Sequence, residues 1–293
     1  MRHNGHEDER TPRGEAVSEI IHEVGDELAA VVTVPGEITY RTLDQFFTFI
    51  GGTAMLFGRA LGYIVKASVD VRDTMNQMAV IGVASLPIVL VTVAFSGMVL
   101  ALYSAQVLVA YGFGGQFVGG GVGLSIAREI APVLTAVVIA ARAGSAMAAE
   151  IGSMKVTEQV DALRALAVDP VRYLVVPRLI AAAVMLPVIT VIADLVGTLG
   201  GYAVATINGV PSGSFLVSLK TYMEMSDITK GLIKTIFFGV IIAIVGCYEG
   251  LQTSGGATGV GRSTTRAVVL SIVLIYISNF FLAYVLFAGR TGG

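Results

Sequence analysis

Between Thr74 and Ala127 the sequence contains no Asp, Glu, Lys or Arg, and the stretch Ala267–Gly289 is charge-free as well. Uncharged apolar runs beyond about 18 residues mark membrane-spanning helices, because in hydrocarbon only a helix or a closed barrel satisfies its own backbone groups. The alternation of apolar runs with polar breaks predicts five crossings, near 79–106, 124–147, 172–206, 229–250 and 267–288. The third is long enough to tilt, and Pro187 offers a place for a bend. Upstream, a Phe-rich segment over 43–66 carries Arg59, Lys66 and several glycines. Thr42 and Gln45 have capping-box spacing at its start, and the segment predicts a helix lying in the membrane interface rather than crossing.

Composition sharpens this picture. Hydrophobic residues make up 55% of the 293 positions and charged residues only 14%, which excludes an ordinary soluble domain. The expected fold class is an all-α integral membrane protein. Residues 1–40 differ in kind: they form an acidic leader, partly disordered, in which Val17, Ile20, Ile21, Val24 and Leu28 suggest a short amphipathic helix. No apolar stretch follows a basic start, so no cleavable secretory signal is expected. The histidines His3, His6 and His22 all lie in this leader and read as parts of a solvated tail rather than a metal site. A single cysteine, Cys247, excludes an internal disulfide. The net charge of −2 points to no partner, and nucleic acid is not expected as one.

Lys and Arg concentrate in alternate polar breaks. Arg41, Arg59, Lys66 and Arg72 precede the first crossing; Lys155, Arg164 and Arg172 follow the second; Arg262 and Arg266 precede the fifth. The breaks at 107–123 and 207–228 hold only Lys220 between them. The positive-inside bias therefore predicts a cytoplasmic N-terminus and a C-terminus on the far side.

One loop imitates a nucleotide site. "GGATGVGRST", Gly255–Thr264, has P-loop spacing from Gly256 to Ser263, with Arg262 where the motif has lysine. A P-loop needs a buried strand before it and a soluble helix after it, yet both flanks here are membrane segments. The stretch reads as a flexible cytosolic turn whose Arg262 and Arg266 anchor the next helix at the headgroups.

The most informative stretch is "EIGSMKVTEQVDALRALAVDPVRYLVVPR", Glu150–Arg178. Val156, Val160, Leu163 and Ala167 form an apolar stripe at helical spacing, with Lys155, Glu158, Asp161 and Arg164 off it. These predict an amphipathic cytoplasmic helix over 150–168, ended by Asp169-Pro170, which can also start the next helix as N-cap and first position. Such a helix suits either of two roles, transmitting force from a soluble partner or resting on the headgroups. With "AREIAPVLTAVVIAARAGSAMAAEIGSMK" before it and "GRSTTRAVVLS" in crossing five, the stretch resembles the signature of the MlaE/YrbE family, permease subunits of ATP-binding-cassette lipid transporters that work with MCE proteins. The resemblance covers roughly Leu43–Phe287, a permease domain within 41–290.

That resemblance implies a bacterial inner-membrane, multi-pass subunit that is not itself an enzyme. Its implied partners are a second copy of itself, a cytosolic ABC ATPase dimer, a periplasmic MCE-domain protein and phospholipid. This chain then binds no cofactor, and ATP and Mg sit on the partner ATPase. The coupling residues carried over are Glu158, Gln159, Ala162 and Leu163 of an EQ-x-x-AL pattern, bounded by Glu150 and by Asp169 and Pro170, with Lys155 and Asp161 on the same helix.

Among the charges inside predicted crossings, Arg142 in the second and Asp194 in the third stand out. Intramembrane charge is expensive and usually faces a partner or a wet cavity. Arg142 can meet a lipid phosphate, Asp194 or a backbone carboxyl end, or snorkel to the headgroups, and both residues are candidates for a lipid pathway. Arg128 and Glu129, at the outer face, read as one interfacial ion pair in preference to a cargo contact. Gly197, Gly200 and Gly201, and Gly144, Ser145 and Ala148, permit close helix approach. The competing readings are a stand-alone secondary transporter, disfavoured by the lack of an inverted repeat, and a non-transporting scaffold of an MCE assembly. No HExxH or GxSxG argues for an intramembrane enzyme.

Overall fold

The computed structural model describes Asp44 and residues 47–66, 69–111 and 116–287. The acidic leader 1–40, its three histidines and the capping pair Thr42 and Gln45 lie outside the described residues. No strand occurs among the described residues. Among them, six helices are long and apolar enough to cross a membrane: α1 Phe47–Val65, α2 Val71–Leu108, α3 Val118–Val156, α5 Val171–Ile207, α7 Met225–Leu251 and α8 Gly256–Phe287. Two short helices join them, α4 Gln159–Ala165 and α6 Ser212–Tyr222. Up to Ala54 the chain forms a unit of its own, in which Thr53 Oγ1 donates to Phe49 O at 2.7 Å. Met55 onward forms the second unit, which holds the rest of α1 and all of α2 to α8.

Several helices start earlier than hydropathy alone suggests, because capping rather than apolarity sets their first turn. Asp70 accepts from Asp73 N at 3.1 Å, so α2 begins at Val71 and takes in Arg72 and Asp73, where the sequence pattern places the start at 79. α7 begins at Met225 rather than 229, closed by a capping box between Glu224 and Asp227. α8 begins at Gly256 rather than 267, so the P-loop imitation is not a flexible turn but the first turns of a helix. The turn is confined to residues 252–255, and Gly255 and Gly256 take φ of 87° and 69°, which glycine tolerates without a Cβ clash. α5 runs through Pro187 as one helix.

α3 and α7 are the most enclosed helices, joined by Ile139, Ala143, Phe238 and Ile242, all buried. The small residues seal contacts within the chain. A Cβ on Gly97 would lie 2.3 Å from Gly197 O, and one on Gly239 would lie 2.6 Å from Ala182 O, so α2–α5 and α5–α7 meet backbone to backbone. α8 by contrast faces outward, with Tyr276, Phe280, Phe281 and Tyr284 exposed.

The crossings alternate in direction, so one end of the bundle carries α4 and the α7–α8 turn, and the other carries α6. Leu56 shares a cavity with Pro170 and Leu251, and Tyr63 shares another with Val69 and Tyr173. Pro170, Leu251, Val69 and Tyr173 all lie at or beside helix termini on the α4 end. Seven residues of helix advance about 10 Å, so this part of α1 runs across that end rather than through the bundle.

Candidate functional site

Two polar centres stand out, one at each end. On the α6 side, the backbone of α3 makes a π-type turn over Ile126–Ile130 that carries Arg128 and Glu129; such turns recur at functional positions. The two side chains do not pair with each other, contrary to the reading as one interfacial ion pair. Arg128 Nη2 meets Asp227 Oδ1 at 2.7 Å, and Glu129 Oε1 meets Lys234 Nζ at 2.8 Å. Both partners are on α7, and the side chains of Asp227 and Lys234 are fully buried. Asp227 also caps α7, its Oδ2 accepting from Glu224 N at 3.1 Å. Asn279 of α8 completes the network, donating from Nδ2 to Glu129 at 2.8 Å and accepting from Lys234 at 2.9 Å. The Phe287 ring lies 4.9 Å from the Arg128 guanidinium and 5.7 Å from Lys234 Nζ. Three helices are thus tied by charges that would each be costly alone.

A groove of about 390 Å³ opens beside this network, lined by Ser96, Glu129, Ile130, Val133, Leu134, Tyr276 and Asn279. It lies between α2, α3 and α8 and is apolar apart from Ser96, the Tyr276 hydroxyl, Glu129 and Asn279. Lys234 and Asn279 were missed from sequence. Lys234 lies within the predicted fourth crossing, and an ionisable residue there is the signal that could have found it.

The two charges singled out within the crossings do not meet. Arg142 sits in a second π-type turn of α3, Ala140–Gly144, and donates to Val80 O at 3.1 Å and Ser85 Oγ at 3.0 Å. It staples α3 to α2, where a third such turn, Ala79–Val83, presents the Val80 carbonyl. Both carboxylate oxygens of Asp194 are enclosed without a hydrogen-bond partner among the described residues.

At the α4 end, the predicted helix 150–168 is two pieces. Residues 150–156 complete α3; Glu158 then turns the chain with φ 61°, and α4 spans only Gln159–Ala165. Its exit is a Schellman motif: Val168 N donates to Leu163 O at 2.9 Å and Ala167 N to Arg164 O at 3.0 Å, with Ala167 at φ 59°. Left-handed backbone costs a non-glycine residue roughly 1–2 kcal/mol, so α4 is bracketed by two strained residues. Val160 is buried and Leu163 half-buried, while Glu158, Gln159, Ala162 and Leu166 are exposed. Asp161 bridges Lys155 and Arg164, each at 2.8 Å, and the Lys155 hydrogen bond leads the influences that lower its pKa.

Glu150 stands apart from α4. It pairs with Arg178 of α5, whose guanidinium is nearly enclosed. Asp169 accepts from Val171 N at 2.8 Å, so it caps α5 with Pro170 in the first turn. Burial pushes the Asp169 carboxyl up, but hydrogen bonds from Tyr63 and the Val171 amide, with the Arg59 charge, bring it below its ordinary value. Arg266 reaches Glu249 at 3.3 Å, tying α8 to α7 where a headgroup anchor was expected.

Comparison with known proteins agrees with this architecture. The family model described as Permease MlaE matches residues 74–285. A probable ABC transporter permease protein of Synechocystis sp. is 45% identical over 85% of this chain and 95% of its own. A second, from Rickettsia typhi, is 42% identical over 83% and 94%. The chloroplastic protein TRIGALACTOSYLDIACYLGLYCEROL 1 of Arabidopsis thaliana is 37% identical over 80% of this chain and 67% of its own. With a family model spanning five of the six long apolar helices described, this multi-pass membrane protein belongs to the MlaE family of ABC transporter permeases.

Proposed function

We propose that the chain is the transmembrane permease subunit of a transporter that moves phospholipids between the bacterial inner membrane and a periplasmic MCE-domain protein. Two copies work with two copies of a cytosolic ABC ATPase, on which ATP and Mg are bound. The observation that carries the cargo class is the groove between α2, α3 and α8: apolar walls for acyl chains beside the Glu129–Lys234–Asn279 network for a polar headgroup. The Arabidopsis relative bears the name of a glycerolipid, which supports a lipid cargo. The outward apolar face of α8 suits contact with a second copy.

The α4 end is cytoplasmic on this reading, since Arg59, Lys66, Lys155, Arg164, Arg172 and Arg262 gather there. α1 from Met55 onward then lies at the inner interface. The exposed residues of α4, with Glu158, Gln159 and Ala162 foremost, dock on the ATPase, and Lys155, Asp161 and Arg164 hold the shape of that segment. Glu150 and Asp169 act one step back, fixing α3 and α5 behind the docking face.

The test is co-reconstitution with the ATPase and photo-crosslinkers at Val133 and Tyr276. Capture of phospholipid at both positions, and ATP-dependent transfer of that lipid to an acceptor, is the expected result. No lipid at either position, with transfer absent, would reject the cargo assignment.

A further inference from the structure

Asp169 makes more contacts than a cap requires. One carboxylate oxygen serves the Val171 amide, while the other accepts both from Tyr63 Oη at 2.6 Å and from Arg59 Nη2 at 2.9 Å. Tyr63 and Arg59 are four residues apart on α1 and so share one face of it. On the same face Leu56 and Ala60 are buried. Along the chain, Asp169 follows directly on the Schellman exit of α4, where Val168 N is bonded back to Leu163 O. A short, fully hydrogen-bonded path therefore leads from α4 through Asp169 to α1. Two cavities flank it, about 370 Å³ on the side of Leu56 and about 520 Å³ on the side of Tyr63 and Tyr173. Asp169 lines both. The contact is thus a narrow bridge between two clefts in the surface of this chain.

We propose that Asp169 is a latch joining α1 to the α4 loop, so that displacement of α4 by a docked motor carries α1 with it along the membrane surface. The proposal rests on α4 being the docking element, and it assigns Arg59 and Tyr63 as positioning residues for that stroke. α1 is the natural receiver. From Met55 onward it lies across the α4 end. The bridge joins a side chain held by a backbone cap to two donors on one face of a helix.

The test uses the full chain in lipid nanodiscs with its ATPase. Spin labels go on G62C, where no neighbouring side chain intrudes, and L166C, which is exposed; the native Cys247 is buried and stays unlabelled. The latched protein should give a narrow distance distribution between the labels that keeps its width through the nucleotide cycle. The double variant Arg59→Gln/Tyr63→Phe should broaden it, and should lower lipid moved per ATP by about fivefold or more while ATPase co-purification and hydrolysis hold. Restoring Tyr63 in the Arg59→Lys background should recover both. An unchanged width, or broadening with full transfer per ATP, overturns the latch; so does loss of the ATPase, which would make the contact a support for the docking shape alone. If the unmutated complex moves no lipid, the transport reading falls, and the width comparison still decides the latch.

Discussion

The two ends of this bundle use the same residue types to opposite effect. On the α6 side, Asp227 and Lys234 are fully buried and each is held by a partner on another helix. On the α4 side, the Asp161 ion pairs are exposed and join residues close in sequence, within α4 and back to the end of α3. Desolvation decides the difference. A buried charge stripped of its partner is left in low dielectric, whereas an exposed one is returned to water. The first arrangement fixes three helices around a groove, and the second shapes a surface segment that can be moved.

The largest expected effect tests that contrast directly. Asp227→Ala removes both the partner of Arg128 and the cap of α7, and should cost about 3–5 kcal/mol, seen as a large fall in thermal stability of the purified protein. Asp161→Asn should leave the same melting curve unmoved. Equal shifts for the two would break the contrast.

Within the α4 end the comparison can be sharpened between two glutamates that the sequence pattern groups together. Glu158→Gly suits the left-handed backbone there and removes the exposed side chain with its carboxylate. It should preserve folding and reduce lipid transfer per ATP. Glu150→Gln weakens the hold on the nearly enclosed Arg178 and should lower thermal stability first. The assay is melting temperature beside transfer for each variant. A stable, uncoupled Glu150→Gln would place that residue on the docking face after all.

What could be read in advance divides along the same physical line. Charge-free runs announce helices, so crossings were legible, as was Asp169-Pro170 as the opening of α5. The shape of α4 was not, because its two left-handed turns fall on Glu158 and Ala167, neither of which signals such a turn as glycine would. The network at Lys234 was hidden for another reason. Its members come from α3, α7 and α8, and periodicity within one helix says nothing about which charge on another will meet it. Arg128 next to Glu129 in sequence invites a local pairing that helix geometry forbids, since adjacent residues point about 100° apart.

A smaller effect follows from that strain. Ala167→Gly relieves a left-handed alanine and should stabilise the α4 exit by about 1 kcal/mol or less after the entropy of glycine is set against it. Slower amide exchange at Val168 would show it. Faster exchange would mean that the alanine methyl contributes packing that outweighs the backbone strain.

The smallest effect is one of pH, and its sign follows from the direction of the Asp169 shift. The carboxyl is held below its ordinary value by Tyr63, the Val171 amide and Arg59, once these outweigh the opposing effect of burial. A carboxyl with a lowered folded-state pKa contributes stability that is complete above its unfolded value near 4 and disappears as pH falls through the lower folded value. The latch should therefore be intact from neutrality down to about pH 5 and weaken only in stronger acid. The G62C/L166C distance distribution should stay narrow over that upper range and broaden below it. Asp161 shifts in the same direction, so acid alone does not isolate Asp169. Asp169→Asn does: it keeps an oxygen for the Val171 amide and removes the titration. In that variant the distribution should already be broad at neutrality and lose the part of its pH dependence that belongs to the latch, because a neutral amide binds Arg59 weakly at every pH.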